Sequence, residues 1–281
     1  MAPSTPLSVF TWNINLFTGT AATLNPLARL SPRPDVVTLQ EVVLERAIET
    51  LERLGDMGYA GVTYSGRPDA SEKHYGNIIA ARTPLTSCDP AAYDFPWTQL
   101  VGHAVLDASG GPINVVTVHV PNGSGNGWKK IDTLDALKQL VLGLKGKPLI
   151  LTGDFNEPQY AMQDGQVVTW GQEQAGGRWE VWDGEWTDKN GVTDEWGRWD
   201  STARWFFGSP EESGIRSAFW DVAGHGTMEA THLVGDDPRW FDHVFVSDSF
   251  KVNACDYLHT FREEEFSDHS ALLATLSYST G

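Results

Sequence analysis

Ten short apolar or β-branched runs, none near the roughly 18 residues needed to cross a bilayer, are spread along this 281-residue chain. They fall at residues 7–14, 35–40, 59–64, 76–82, 99–107, 113–120, 147–153, 241–247, 251–258 and 270–277, and their length suits strands. Two longer amphipathic segments lie among them. Residues 43–54 keep Leu44, Ala47, Ile48, Leu51 and Leu54 on one helical face, and 128–144 do the same with Ile131, Leu134, Leu137, Val141 and Leu144. Short strands mixed with such helices predict an α/β or α+β sandwich. The run Asp107-Ala108-Ser109-Gly110-Gly111-Pro112, between two strands, predicts a hairpin turn.

At 41% hydrophobic residues the chain can fill a large core, which excludes disorder and fibrous architectures. Twenty Lys and Arg against 37 Asp and Glu leave a net charge of −17, which disfavours a passive nucleic-acid coat. It leaves room for an enzyme whose carboxylates carry divalent cations, because the loaded site is positive where a phosphate would sit. Cys88 and Cys255 have no metal-type spacing and are expected as free, buried thiols of a cytoplasmic protein. Met1 to Leu7 is short and polar, unlike a signal peptide, and no membrane span is expected. Nine of the twelve tryptophans fall within about 165–240. We expect one domain over 1–281 that carries this Trp-rich stretch as an elaborated loop region.

Several strand ends carry residues suited to chemistry. Gly153-Asp154-Phe155-Asn156 follows a buried-looking strand, so Asp154 and Asn156 share one face while Phe155 turns inward. An ordinary turn would read the same way. Pro34 to Glu41 is a run buried on both faces that ends in a carboxylate; Glu41 suits a hard cation such as Mg²⁺, or else the first turn of the following helix. Asn13 and Asn15 share a face at the end of the first strand, where an amide oxygen can ligate or steer a metal. His119 ends a strand ahead of the glycine-rich loop from Asn122 to Gly127, which leads into Lys129 and Lys130. That loop suits an anionic oxygen, or is a plain surface connection. Asp242-His243 and Asp268-His269 each set an acid beside a histidine at a strand start, where a carboxylate can raise imidazole basicity. Alternation assigns the chemistry to Asp242 and a structural place to His243.

In this order the motifs resemble the endonuclease/exonuclease/phosphatase superfamily of DNase I-like metal-dependent phosphoesterases. The resemblance runs from Trp12-Asn13 through Leu39-Gln40-Glu41, His119, Gly153-Asp154-Phe155-Asn156 and Phe241-Asp242 to Ser267-Asp268-His269. It implies a four-layer α/β sandwich, two mixed sheets packed face to face with helices outside. It further implies Glu41 as principal ligand of Mg²⁺ or Mn²⁺, with Asn13 and Asp268 as ligands directly or through water. Asp154 would orient or deprotonate the attacking water, held by Asn156. His269 would contact the phosphate, as base or transition-state stabiliser, with Asp242 behind it as its orienting carboxylate, and His119 would bind the phosphate or help protonate the leaving oxygen. Asn122 and Lys129 are expected at the phosphate. His119 stands where apurinic-site nucleases carry tyrosine, as in DNase I-like or sphingomyelinase-like branches, whereas Pro121-Asn122-Gly123 is similar to the apurinic-nuclease pattern.

The reading that follows is a metal-dependent phosphodiesterase acting as a nuclease on DNA or RNA, with no obligate protein partner. A phospholipid head group or a small phosphorylated metabolite is the alternative substrate, and a non-catalytic binding module is the second alternative. The tryptophans are read as a satellite core, as stacking platforms for bases, or as a wedge for an apolar substrate.

Overall fold

The computed structural model describes residues 5–16 and 24–278. Met1 to Ser4, most of the polar lead-in, lie outside the described residues. In chain order the strands of the two large sheets are β1 (Thr5–Asn13), β2 (Val36–Val43), β3 (Gly61–Tyr64), β4 (Tyr75–Ala81), β5 (Leu85–Cys88), β6 (Val101–Ala108), β7 (Gly111–His119), β8 (Leu149–Asp154), β9 (Arg216–Ser217), β10 (Asp242–Val246), β11 (Phe250–Leu258) and β12 (Ala271–Tyr278). One sheet runs β11-β12-β1-β2-β4-β3, the other β9-β10-β8-β7-β6-β5. Each is mixed, with one parallel pair, β1 with β2 and β7 with β8, among antiparallel neighbours. All ten expected strands are present; β5 and β9 were not foreseen, because Leu85-Thr86-Ser87-Cys88 and Arg216-Ser217 are too polar to stand out as apolar runs. Residues Ser109 and Gly110 turn the chain between β6 and β7, as expected.

Helix α1 (Leu44–Asp56) covers the first sheet, and α2 (Lys129–Gly143) covers the second. In α1, Ala47 and Leu54 are buried while Ile48, expected on the same face, is 73% exposed. One residue past Ala47 is about 100° around the helix, which carries Ile48 off the narrow contact. In α2 all five expected positions are buried, and so is Lys130. Between the sheets, close to one end, the packing turns polar. Thr38 and Thr152 hydroxyls meet at 2.9 Å, and Gln40 donates to Thr11 and to Thr117 across the sheets. Full pairing offsets the cost of burying these groups and fixes the relative register of the two sheets beneath the site.

The stretch 165–240 is more regular than a loop region. It holds α3 (Trp196–Trp205), α4 (Ala218–Ala223), β9 and three two-stranded hairpins, at Gln172–Ala175 with Arg178–Val181, Glu185–Thr187 with Thr193–Glu195, and His232–Val234 with Asp237–Arg239. These strands are short and largely exposed, so they lack the alternation that reveals a strand in sequence. The satellite core is present: Trp199, Trp220 and Trp240 are buried, and Trp128 donates its indole N–H to the Trp186 carbonyl at 2.9 Å. Both cysteines are free; Cys255 is buried, but Cys88 on edge strand β5 is half-exposed. Among the described residues no helix is long and apolar enough to cross a membrane.

Candidate active site

The ends of β1, β2, β7, β8 and β10 meet at one rim. Register places Asp154 directly between His119 on β7 and Asp242 on β10. Gly153 makes this possible: its φ is +133°, and a Cβ there would lie 2.0 Å from the Val118 carbonyl oxygen, so no other residue fits the close approach of β8 to β7. Phe155 then turns wholly inward, and Asn156, at φ +50°, doubles back. Its backbone N–H donates to Asp154 Oδ1 at 2.8 Å and its amide to Oδ2 at 3.3 Å.

Glu41 reaches the same place by a different device. The pairing of β2 with β4 is interrupted between Leu39 and Val42, and Glu41 sits in this bulge at φ +60°. A bulge re-aims a side chain; here it turns the Glu41 carboxylate to His119, whose Nε2 lies 3.2 Å away. The alternative, Glu41 in the first helical turn, is excluded because Glu45 occupies that turn. Asn13 bridges the two carboxylates, its amide nitrogen 2.9 Å from Asp154 Oδ2 and 3.3 Å from Glu41 Oε1. Its oxygen accepts the backbone N–H of Asn15, and its amide nitrogen is the atom turned to the two carboxylates.

His269 closes the set. Ser267 donates to the Asn13 carbonyl, and the Trp12 indole donates to the His269 carbonyl, which ties the start of β12 to the end of β1. His269 Nδ1 lies 2.8 Å from Asp242 Oδ2, while Nε2 faces Asp154 Oδ2 at 3.8 Å. His119 Nε2 is also 3.8 Å from that oxygen. Burial pulls the His269 imidazole down, but the carboxylates of Asp242 and Asp154 outweigh it and lift its pKa to about 10. Burial pushes the Asp154 carboxyl up. For Asp242 burial acts in the same sense, but the His269 cation prevails and holds it below the usual carboxylate range. The two carboxylates thus favour the protonated form of the His269 imidazole.

Glu41, His119 and Asp154 present ligand atoms within 4.8 Å of one another. Two carboxylate oxygens with one imidazole fit a hard divalent cation. The Nδ1 of His119 is buried without a partner, as is Oδ1 of Asp242, so the site retains polar capacity that the protein alone leaves unused. Asp268, expected at the metal with Glu41, is half-exposed and groups with His232 and His269 instead.

In the glycine-rich loop three N–H groups are spent internally: Asn122 Oδ1 accepts from Gly125, Asn126 donates to the Asn122 carbonyl, and Gly127 donates to the Gly123 carbonyl. Lys129 reaches outward to Glu72 and over the Trp97 ring. Its neighbour Lys130 is the lysine beneath the site, 2.7 Å from the Asn156 carbonyl oxygen and 3.0 Å from Glu157. His243 is structural as expected, buried and donating through Nε2 to the Glu157 carbonyl. Two further residues were missed. Tyr75 packs 5.5 Å from His119, and His232 stacks on His269 at 4.5 Å. Neither lies in a motif; His232 belongs to a hairpin with no apolar signature.

The architecture is similar to several solved structures, at identities that speak for the fold alone. D. rerio TDP2 complexed with single strand DNA product aligns with a TM-score of 0.64 and 15% identity over 97% of this chain and 99% of that one. The 3' phosphatase NExo from Neisseria, bound to product DNA hairpin, aligns at 0.61 and 19%, covering 95% and 98%. ANGEL2, a 2',3'-cyclic phosphatase in complex with adenosine-2',3'-vanadate, aligns at 0.60 and 17%, covering 98% and 96%. No curated protein sequence matches the chain. The profile of the Endonuclease/Exonuclease/phosphatase family matches residues 10–269, nearly the whole chain and every strand end that builds the site. The protein thus belongs to the Endonuclease/Exonuclease/phosphatase family of phosphoester-hydrolysing enzymes.

Proposed function

We propose that the chain is a Mg²⁺- or Mn²⁺-dependent phosphodiesterase that acts as a nuclease. The observation that carries this reading is the placement of Asp154 Oδ2 at 3.8 Å from each of two imidazoles, while Asn13 ties the same oxygen to Glu41. Glu41, Asp154 and His119 would hold the cation, which when bound neutralises phosphate charge and favours in-line attack by an oxygen. Asp154 orients the attacking water, with Asn156 and Asn13 fixing its carboxylate. His269, kept cationic by Asp242, stabilises the charge that develops on the phosphoryl oxygens. His119, on the other side of Asp154, would act on the phosphate through the cation it helps to hold. Asp268 and Asn122 lie at the rim, within reach of a substrate rather than of the Glu41 group. The DNA products bound to the similar structures from D. rerio and Neisseria support a nucleic-acid substrate.

The test is divalent-metal-dependent nicking of supercoiled plasmid, with EDTA as blank and Asp154→Asn in parallel. Nicking that requires the metal and falls by on the order of a hundredfold or more in Asp154→Asn is the expected result. A folded protein that cleaves no phosphodiester with either metal would overturn the proposal. A small phosphorylated molecule is the second reading; the net charge of −17, which repels a long polyanion, favours it.

A further inference from the structure

Beside the catalytic residues lies a cavity of about 570 Å³, within the roughly 300–1,000 Å³ of small-molecule sites. Trp170, Trp186, Trp196, Trp199, Phe241 and Val234 form most of its wall, so the lining is largely apolar. Trp186 and Trp196 stack nearly parallel, with ring centroids 5.1 Å apart and planes at 13°. The rings are held from behind: Trp199 donates to buried Glu157, Trp170 donates to the Asn156 carbonyl, and Trp128 packs against Trp186, Trp196 and Trp199. Gly123 leaves room for them, because a Cβ there would lie 2.4 Å from the Trp199 ring.

The cavity touches the catalytic group at two points. Asn156, whose amide holds Asp154, is part of its wall. His232 is also part of the wall and stacks on both Phe241 and the catalytic His269. A group occupying the cavity therefore lies within one nucleoside's reach of a phosphate held between His119 and His269. Aromatic walls with a few amide and hydroxyl groups at the mouth, from Asn122, Ser124 and Asn156, match a flat ring with polar edges.

We infer that this cavity is a nucleobase subsite, which takes the base of the nucleotide attached to the scissile phosphate. This inference rests on the phosphodiesterase reading and names its substrate as a nucleotide unit presented unstacked. An aliphatic chain would fill the volume but leave Asn122, Ser124 and Asn156 without a polar partner, and a paired base would have to leave its duplex to enter.

Two measurements test it. Calorimetric titration with adenosine, which carries no phosphate, reads the subsite without catalysis. Relative kcat/KM for a dinucleotide, for its analogue with one base replaced by hydrogen and for methyl phenyl phosphate reads it during turnover. The expected results are saturable adenosine binding and a dinucleotide preference over the abasic analogue of about tenfold or more. That preference should collapse in Trp196→Ala and in Ser124→Leu, which fills the mouth without removing a core ring. Trp196→Phe should restore part of it, which separates loss of stacking from loss of folding. Equal rates on dinucleotide and abasic analogue, with no adenosine binding, would overturn the subsite and leave the phosphodiesterase standing. An equal loss on methyl phenyl phosphate and on the dinucleotide in Trp196→Ala would overturn the nucleobase assignment. Saturable adenosine binding in a protein that hydrolyses none of the three would uphold the subsite and overturn the phosphodiesterase reading.

Discussion

His243 and His269 show how far burial alone decides what a histidine does. Both are buried, and both follow or adjoin an acid in sequence. His269 faces two carboxylates and is lifted to about 10, whereas His243 is enclosed by Phe155, Phe207, Trp240 and Phe245 and is pulled down to about 4 by desolvation. In the unfolded chain an imidazole titrates near 6.5, so as pH falls from 6.5 the unfolded state takes up a proton that folded His243 refuses until about 4. Stability is lost across that window, by up to about 3 kcal/mol from this one group. Urea unfolding at several pH values between 7 and 4 should show a fall that His243→Gln makes shallower, although the variant is weaker throughout. An unchanged slope in the variant would assign the acid sensitivity elsewhere. The identity of such residues was legible because they end strands: Asp154, Asn156, His119, Asp242 and His269 can be placed from alternation alone. The orientation of Asn13 was not, since an amide offers both a donor and an acceptor and only the two carboxylates facing it decide which is used. Lys129 and Lys130 likewise differ by one helical step, and sequence could not say which of the two turns under the site.

At the level of elements, a buried pair helps to fasten the Trp-rich stretch to the sandwich, beside the more exposed pairs of Arg198 with Asp132 and Asp135. Lys130 on α2 and Glu157, just past Asn156, are each 1% exposed, and Glu157 also accepts from the Trp199 indole on α3 and from the Trp170 backbone. Lys130 further donates to the Asn156 carbonyl, so the pair ties α2, α3 and the catalytic turn together. Removing one partner leaves the other charge buried, at a cost of about 3–5 kcal/mol. Lys130→Met should therefore lower stability by about that amount and disturb Asn156, while Lys130→Met with Glu157→Leu should recover much of the stability. Chemical denaturation of the three proteins checks this, and a double variant no better than the single one would show that the pair is not the fastening. The ten expected strands were legible because each alternates or runs apolar against a sheet. The hairpins of 172–195 were not, because they lie on the surface, where neither face must be apolar. The bulge that aims Glu41 leaves no trace in a run that reads Val-Thr-Leu-Gln-Glu.

Taken whole, the molecule must hold an anionic substrate against a net charge of −17. Long-range attraction cannot supply this, so binding has to be local, and the proposed phosphodiesterase supplies it with a cation held by Glu41 and Asp154, imidazoles at the phosphate, and aromatic contact that is indifferent to charge. Lys73 feels the charges of Glu72 and Glu41 and of two further lysines, Lys129 and Lys189, and Lys73 and Lys129 both lie over the Trp97 ring. If these three lysines supply the phosphate contacts, the logarithm of the binding constant for a single strand, at roughly 0.7 counterion per contact, should fall with the logarithm of salt at a slope of about −2. Proteins that bind through a basic face, with about 6–10 phosphate contacts, show a far steeper fall. The slope can be read from fluorescence anisotropy of a labelled single strand at fixed metal concentration, using Asp154→Asn to prevent cleavage. A slope near −2 would mean that metal, imidazole and stacking carry recognition and that bulk acidity is tolerated because little of the binding is electrostatic at a distance. A slope steeper than about −6 would require a second basic surface, and would move the path of the strand away from the tryptophan cavity.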